Sequence, residues 1–183
     1  DTSPIAAIDI GTNSVHLVIA RPVAGGTPEV VMREKFSVRL GSGGRDMKQL
    51  TPEAVARAIE ALSRFRRLAD AHGATIVAVA TSAAREAENQ RDFIAAAQDQ
   101  AGVAVSVISG TEEARLIHLS ALSAVPVADQ GHLVIDIGGG STEFALGEDT
   151  SPELTHSLKL GHIRLTDRFF PDGVVTKKAV DEC

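Results

Sequence analysis

The sequence predicts an α/β fold, with one complete domain over residues 1–125 and the opening of a second, similar domain over 126–183. Three observations carry this. A phrase occurs twice, as "AIDIGTNSVHL" at 7–17 and "VIDIGGGSTEF" at 134–144, with Asp9 over Asp136, Gly11 over Gly138 and Ser14 over Ser141 at one constant offset. A short β-branched run bounded by turn residues stands before each Asp, the pattern of a buried strand. Between the two copies, capped amphipathic stretches alternate with short apolar runs, as in α/β proteins.

The elements follow in order. Ile5 to Ile8 starts a strand, the Gly-rich turn after Asp9 reverses the chain, and the alternating stretch Ser14 to Ala20 returns as a hairpin. Val30 to Lys35 reads as a third strand, and "LGSGGRDMKQL" at 40–50 as a flexible loop. A helix follows with Thr51 as N-cap and Pro52 at its first position. Val55, Ile59, Leu62 and Ala69 share one face, and Gly73 ends it. "TIVAVATSA" is a strand running into a loop, "NQRDFIAAAQDQAG" a capped helix closed by Gly102, and "VAVSVISG" another strand. "TEEARLIHLSALSA" is a helix with Thr111 as its cap. From about Pro126 the plan restarts: Leu133 to Ile135 as strand, a Gly turn, Ser141 to Gly147 as returning strand, "ELTHSLKL" as a third strand and "IRLTDRFF" as a helix. The chain stops within a further helical stretch, "TKKAVDEC". The second unit is therefore expected to be incomplete, with apolar sheet surface left open.

Composition narrows the function. The chain has 183 residues, 44% of them hydrophobic, enough for a substantial core. No apolar run of about 18 residues and no charged-then-apolar leader is visible, so the expectation is a cytoplasmic protein without a membrane span. Its one cysteine, Cys183, cannot form an intrachain disulfide, in keeping with a reducing compartment. A formal net charge of −6 argues against general nucleic-acid binding. Aromatics amount to 3%, without Trp or Tyr, so base stacking has little to work with. The six histidines lack zinc-ligand spacing. The basic run Arg64 to Arg67 reads as the solvated side of a helix.

The doubled turn carries the chemistry. Glycines there allow close backbone approach to a ligand, successive N–H groups make a concave anion site, and the Ser14 and Ser141 hydroxyls add donors. A carboxylate beside a phosphate cradle repels the ligand unless a divalent cation stands between them, so Asp9 and Asp136 suggest magnesium. One "DIG" turn alone is often only a turn. Two in matching contexts suggest half-sites that clamp a phosphate chain from both sides. His16 occupies the place matching Glu143 and reads as structural.

With these residues in hand, the chain resembles the acetate-and-sugar-kinase, heat-shock-chaperone and actin superfamily, whose paired domains are ribonuclease-H-like. More closely, "AIDIGTNSVHLVIA", "VATSAAREAEN", "VISGTEEARL" and "VIDIGGGSTEF" are similar, in order and spacing, to the exopolyphosphatase/guanosine pentaphosphatase family. The similarity continues through "LKLGHIRLTDRFFPDG". The resemblance implies a magnesium-dependent hydrolase that removes terminal phosphate from polyphosphate or guanosine pentaphosphate, and a homodimer for the complete chain. It implies that Glu113 is the catalytic base and Arg85 a phosphate-binding arginine. Asp9, Asp136 and Glu143 would stand around the metal. Gly11, Thr12, Asn13 and Ser14 would form the first phosphate loop, with Thr12 where serine is frequent, and Gly138, Gly139, Gly140 and Ser141 the second. Glu113, in the first turn of its helix, is expected to be held ionised by the helix dipole. Two alternatives stay open: a kinase or ATPase of the same superfamily, and a non-catalytic sensor of guanosine tetra- or pentaphosphate. The absence of a G-x-x-x-x-G-K-[ST] motif disfavours a P-loop nucleotidase.

Overall fold

A computed structural model describes residues 3–43, 47–125 and 130–183. The expected domain boundary at Pro126 and the centre of the 40–50 loop lie outside these described residues. Strand β1 (Ile5–Ile10) turns into β2 (Ser14–Arg21), which pairs with β3 (Glu29–Ser37). β3 is longer than expected at both ends. Helix α1 (Pro52–Ala71) crosses to β4 (Thr75–Ala80), which pairs with β1 in parallel. Short α2 (Ser82–Glu86) and α3 (Gln90–Ala101) lead to β5 (Val105–Val107), which is parallel to β4. The sheet order is β3-β2-β1-β4-β5. This mixed α/β sheet, with only β2 running against its neighbours, has the ribonuclease-H-like arrangement that the resemblance implies.

The strands are in the sheet because alternate residues leave water. Ala6, Ile8 and Ile10 of β1 and Val15, Leu17 and Ile19 of β2 are at most 1% exposed, and the intervening residues of β1 face out. β1 is thus buried on one face. α1 covers that face. Thr51 caps it by accepting from the Ala54 N–H, and Gly73 (φ 60°) follows its end in the left-handed conformation. Leu62 and Phe65 of α1 are fully buried together with Phe93 of α3. Each such side chain stabilises the fold by about 1.5–3 kcal/mol.

Two local expectations change. Residues 82–86 form a helical turn where a loop was expected, because the backbone of Thr81 accepts the first helical hydrogen bond from Arg85. Helix α4 (Gly110–Ala124) is capped by Ser109, which accepts from the Glu112 N–H, and not by Thr111. Asn89 precedes α3 but uses its side chain to hold the backbone of Leu50 across the structure.

The second sheet is β6 (His132–Ile137), β7 (Thr142–Gly147) and β8 (Leu154–Leu158), all antiparallel, followed by α5 (His162–Phe169) and α6 (Lys177–Glu182). α4 rests against this sheet. His118 of α4 is fully buried and hydrogen-bonds His132 of β6 at 2.7 Å. Elsewhere on the sheet Leu133, Ile135 and Ile137 are more than half exposed, the open apolar surface expected from the sequence. Among the described residues no helix is long and apolar enough to cross a membrane.

Candidate active site

The two repeated hairpins are superposable in register as well as in sequence. Asp9 sits opposite His16 in the first, and Asp136 opposite Glu143 in the second. Both turns close in the same way: Gly11 N–H donates to Ser14 O at 3.0 Å and Gly138 N–H to Ser141 O at 2.9 Å. A Cβ at Gly11 or Gly138 would lie only 3.2 or 3.1 Å from that accepting oxygen, which is why glycine opens each turn. The N–H groups of Thr12, Asn13, Gly139 and Gly140 have no backbone hydrogen-bond partner among the described residues. They remain donors for a ligand.

Tertiary structure brings the two turns into contact through Thr12. A Cβ added to Gly140 would fall 2.7 Å from Thr12 Oγ1 and 2.5 Å from Ser82 Oγ, and one on Gly139 would fall 3.1 Å from Thr12 Cβ. No side chain fits at this junction. Thr12, Ser14 and Ser141 are all buried, and Ser14 Oγ lies 2.9 Å from His16 Nε2. Asn13 O accepts from the N–H groups of Val38 and Arg39, and Thr12 O from that of Gly41, so residues 38–41 hold the first turn from behind. Arg39 does so at φ 47°, a left-handed conformation strained for arginine.

Arg85, placed by α2, donates from one guanidinium nitrogen to Ile108 O at 3.0 Å and to Glu113 Oε2 at 2.9 Å. Glu113 lies in the first turn of α4, yet its carboxyl is not held ionised as expected. Burial and the charge of Glu143 push it up to about 7, outweighing the hydrogen bond and charge of Arg85. Loss of water outweighs the dipole here. Asp9 is also raised, first by the walls that strip its water and then by Asp136, with His16 opposing.

Asp9, Asp136 and Glu113 share the lining of one cavity of about 250 Å³ with Thr81 and Ile108. Arg85 and Ser141 line another, of about 380 Å³, together with Lys159, His156 and Ser109. The Arg85–Glu113 pair joins the two. Glu143 lines neither. It is 2% exposed and accepts a hydrogen bond from Ser157 at 2.7 Å, set behind Glu113. Among the described residues no three of His, Cys, Asp and Glu close into a metal-holding group. The donor set that remains, the Asp9 and Asp136 carboxylates on one cavity, fits magnesium. That ion is commonly held by one or two carboxylates, with water and substrate phosphates completing its shell.

Three side chains at the site were not singled out from sequence. Ser82 backs the contact between the turns, Ser157 holds Glu143, and Arg164 reaches Gly140 O and Glu86 from α5. Ser82 and Arg164 do stand inside the motif-like stretches "TSAAREAEN" and "GHIRLTDRFF". An arginine within the apolar pattern of a helix was the available signal for Arg164.

The Ppx/GppA phosphatase family model matches residues 18–183. The chain is similar to an exopolyphosphatase from Cytophaga hutchinsonii, at 37% identity and a TM-score of 0.87 over 92% of this chain and 54% of that one. An exopolyphosphatase-like protein matches at 36% identity and a TM-score of 0.91, over 98% of this chain and 57% of that one. The PPX-GPPA enzyme of Aquifex aeolicus matches at 29% identity and a TM-score of 0.80, over 98% and 60%. The chain thus spans somewhat over half the length of these solved relatives.

Proposed function

The chain belongs to the Ppx/GppA phosphatase family, and on that premise we propose that it carries the catalytic parts of a magnesium-dependent exopolyphosphatase that releases terminal phosphate from inorganic polyphosphate, with guanosine pentaphosphate as a second substrate. The observation that carries the reading is the Arg85–Glu113 pair, which joins a cavity of carboxylates to one lined by cationic and hydroxyl groups beside two touching phosphate turns.

Hydrolysis of a phosphoanhydride needs its charge neutralised, the water aligned and a proton acceptor nearby. The unpartnered N–H groups of both turns and the hydroxyls of Ser14 and Ser141 cradle the terminal phosphate. Arg85 neutralises it, and a bound phosphate competes with Glu113 for that guanidinium. Glu113, with its value near 7, then takes the proton of the attacking water as the new P–O bond forms. The bridging P–O bond breaks, and its electron pair leaves with the shortened chain. Asp9 and Asp136 would hold magnesium, whose bound form supplies charge neutralisation on the phosphate oxygens.

Phosphate release from polyphosphate, guanosine pentaphosphate and ATP, with and without magnesium, tests the reading on the full-length protein. Magnesium-dependent release from polyphosphate is expected. Turnover of ATP alone would favour a superfamily ATPase, and binding of guanosine pentaphosphate without turnover would favour a sensor.

A further inference from the structure

We propose that Arg164 is a positioning residue that sets the peptide planes of the second phosphate turn and, through Glu86, ties that turn to the helix bearing Arg85. The proposal rests on the phosphatase reading for its kinetic test but not for its geometry.

In a trans peptide the C=O and the following N–H point in opposite directions, so fixing one aims the other. The first turn of α5 takes three successive carbonyls of the second phosphate turn. Gly138 O accepts from His162 N–H at 3.0 Å, and Gly139 O from the N–H groups of Ile163 and Arg164 at 2.9 and 3.2 Å. Gly140 O accepts from the Arg164 side chain, through Nε, at 3.0 Å. The N–H groups of Gly139, Gly140 and Ser141 are thereby turned away from α5, the arrangement an anion nest requires. Backbone donors clip the first two carbonyls; the third depends on one side chain. The first phosphate turn has no such dependence, since its Thr12 and Asn13 carbonyls are both held by backbone N–H groups.

The same guanidinium donates to Glu86 Oε1 at 2.8 Å, with side-chain exposures of 8% for Arg164 and 12% for Glu86. Glu86 follows Arg85 directly on α2 and also accepts from Ser82 Oγ at 3.2 Å, the hydroxyl that backs Gly140. The contact from Lys159 at 3.0 Å is largely exposed and adds little. One planar fork therefore fixes the Gly140 carbonyl and the α2 carboxylate in a set relation. Lysine, a single point donor, keeps the charge and loses this geometry.

The test uses the full-length protein with Arg164→Lys, Arg164→Met and Glu86→Gln. Arg164→Lys is expected to lower kcat for polyphosphate on the order of tenfold or more, while KM moves less than about threefold, because misplacing the nest costs positioning. The pH midpoint set by Glu113 should not move. Adding Glu86→Gln to Arg164→Met should cost no more than Arg164→Met alone, since both cut one connection. Amide exchange at Gly138 and Ile163 should accelerate in Arg164→Lys, with that of Leu17 in the first sheet unchanged. Wild-type kcat in Arg164→Lys, additive losses in the double variant, or wild-type exchange at Gly138 and Ile163 would each overturn the proposal. If the wild-type protein hydrolyses no phosphoanhydride, the functional reading fails and the exchange measurement alone decides the role of Arg164.

Discussion

Arg85 and Glu113 stand 28 residues apart in the chain and meet at 2.9 Å with both side chains largely out of water. The pairing would be expected to keep the carboxyl acidic. Burial and Glu143 prevail instead and leave it near 7, so the group changes protonation in the range where a general base is most useful.

Glu113→Gln is expected to lower phosphate release by about 10²- to 10⁴-fold while polyphosphate binding survives, because the amide keeps the size and loses the proton acceptor. In the wild type, kcat/KM should rise with pH through about 7, the ionised form being the active one. Steady-state kinetics on the full-length protein check both, and near-normal turnover by the variant would remove Glu113 from the base role.

The same carboxyl links stability to pH. Its folded-state value of about 7 lies above the ordinary 4.5, so the stability it contributes is complete below about 4.5 and is lost as pH rises through about 7. Glu113→Gln lacks this dependence. Its Tm should therefore gain on the wild type between about pH 5 and about pH 8, and a gap that stays constant in thermal melts would contradict the raised value.

Asp136→Asn is expected to shift half-activation to higher magnesium concentration, since the amide keeps hydrogen bonds but not the charge that balances the ion. A magnesium titration of activity reads this directly. An unchanged curve would place the ion elsewhere.

Gly161→Ala would put a Cβ 2.3 Å from Gly139 O and 2.4 Å from Gly140 N, so the second phosphate turn must move. A loss of about tenfold or more in kcat/KM is expected, against little change for Gly131→Ala, whose Cβ would meet only Glu148 Oε1, at 4.0 Å. Equal activities of the two variants would show that the turn tolerates displacement.

Inorganic polyphosphate should be preferred over nucleotide substrates, given 3% aromatic residues and cavities lined by charged and hydroxyl groups. Competition between polyphosphate and guanosine pentaphosphate measures the ordering, and a higher kcat/KM for the nucleotide would reverse it.

By itself, the sequence determined the hairpins that carry Asp9 and Asp136, because alternation, a glycine turn and a following serine are local instructions read within about ten residues. It determined α1 and α3 for the same reason: Thr51 and Pro52 start one, and Gly73 and Gly102 follow their ends in the left-handed conformation. Helix α2, five residues long and without a side-chain cap, is too short for any periodicity to show, and it was missed. The cap of α4 moved to Ser109 because two hydroxyl residues compete there and backbone geometry chooses between them. Only the tertiary structure decided that the two turns touch at Thr12, that Glu143 lies behind Glu113 and that Arg164 closes on Gly140. Those relations join distant parts of the chain, and a carboxyl's affinity for its proton depends on the water and charge such neighbours remove or add.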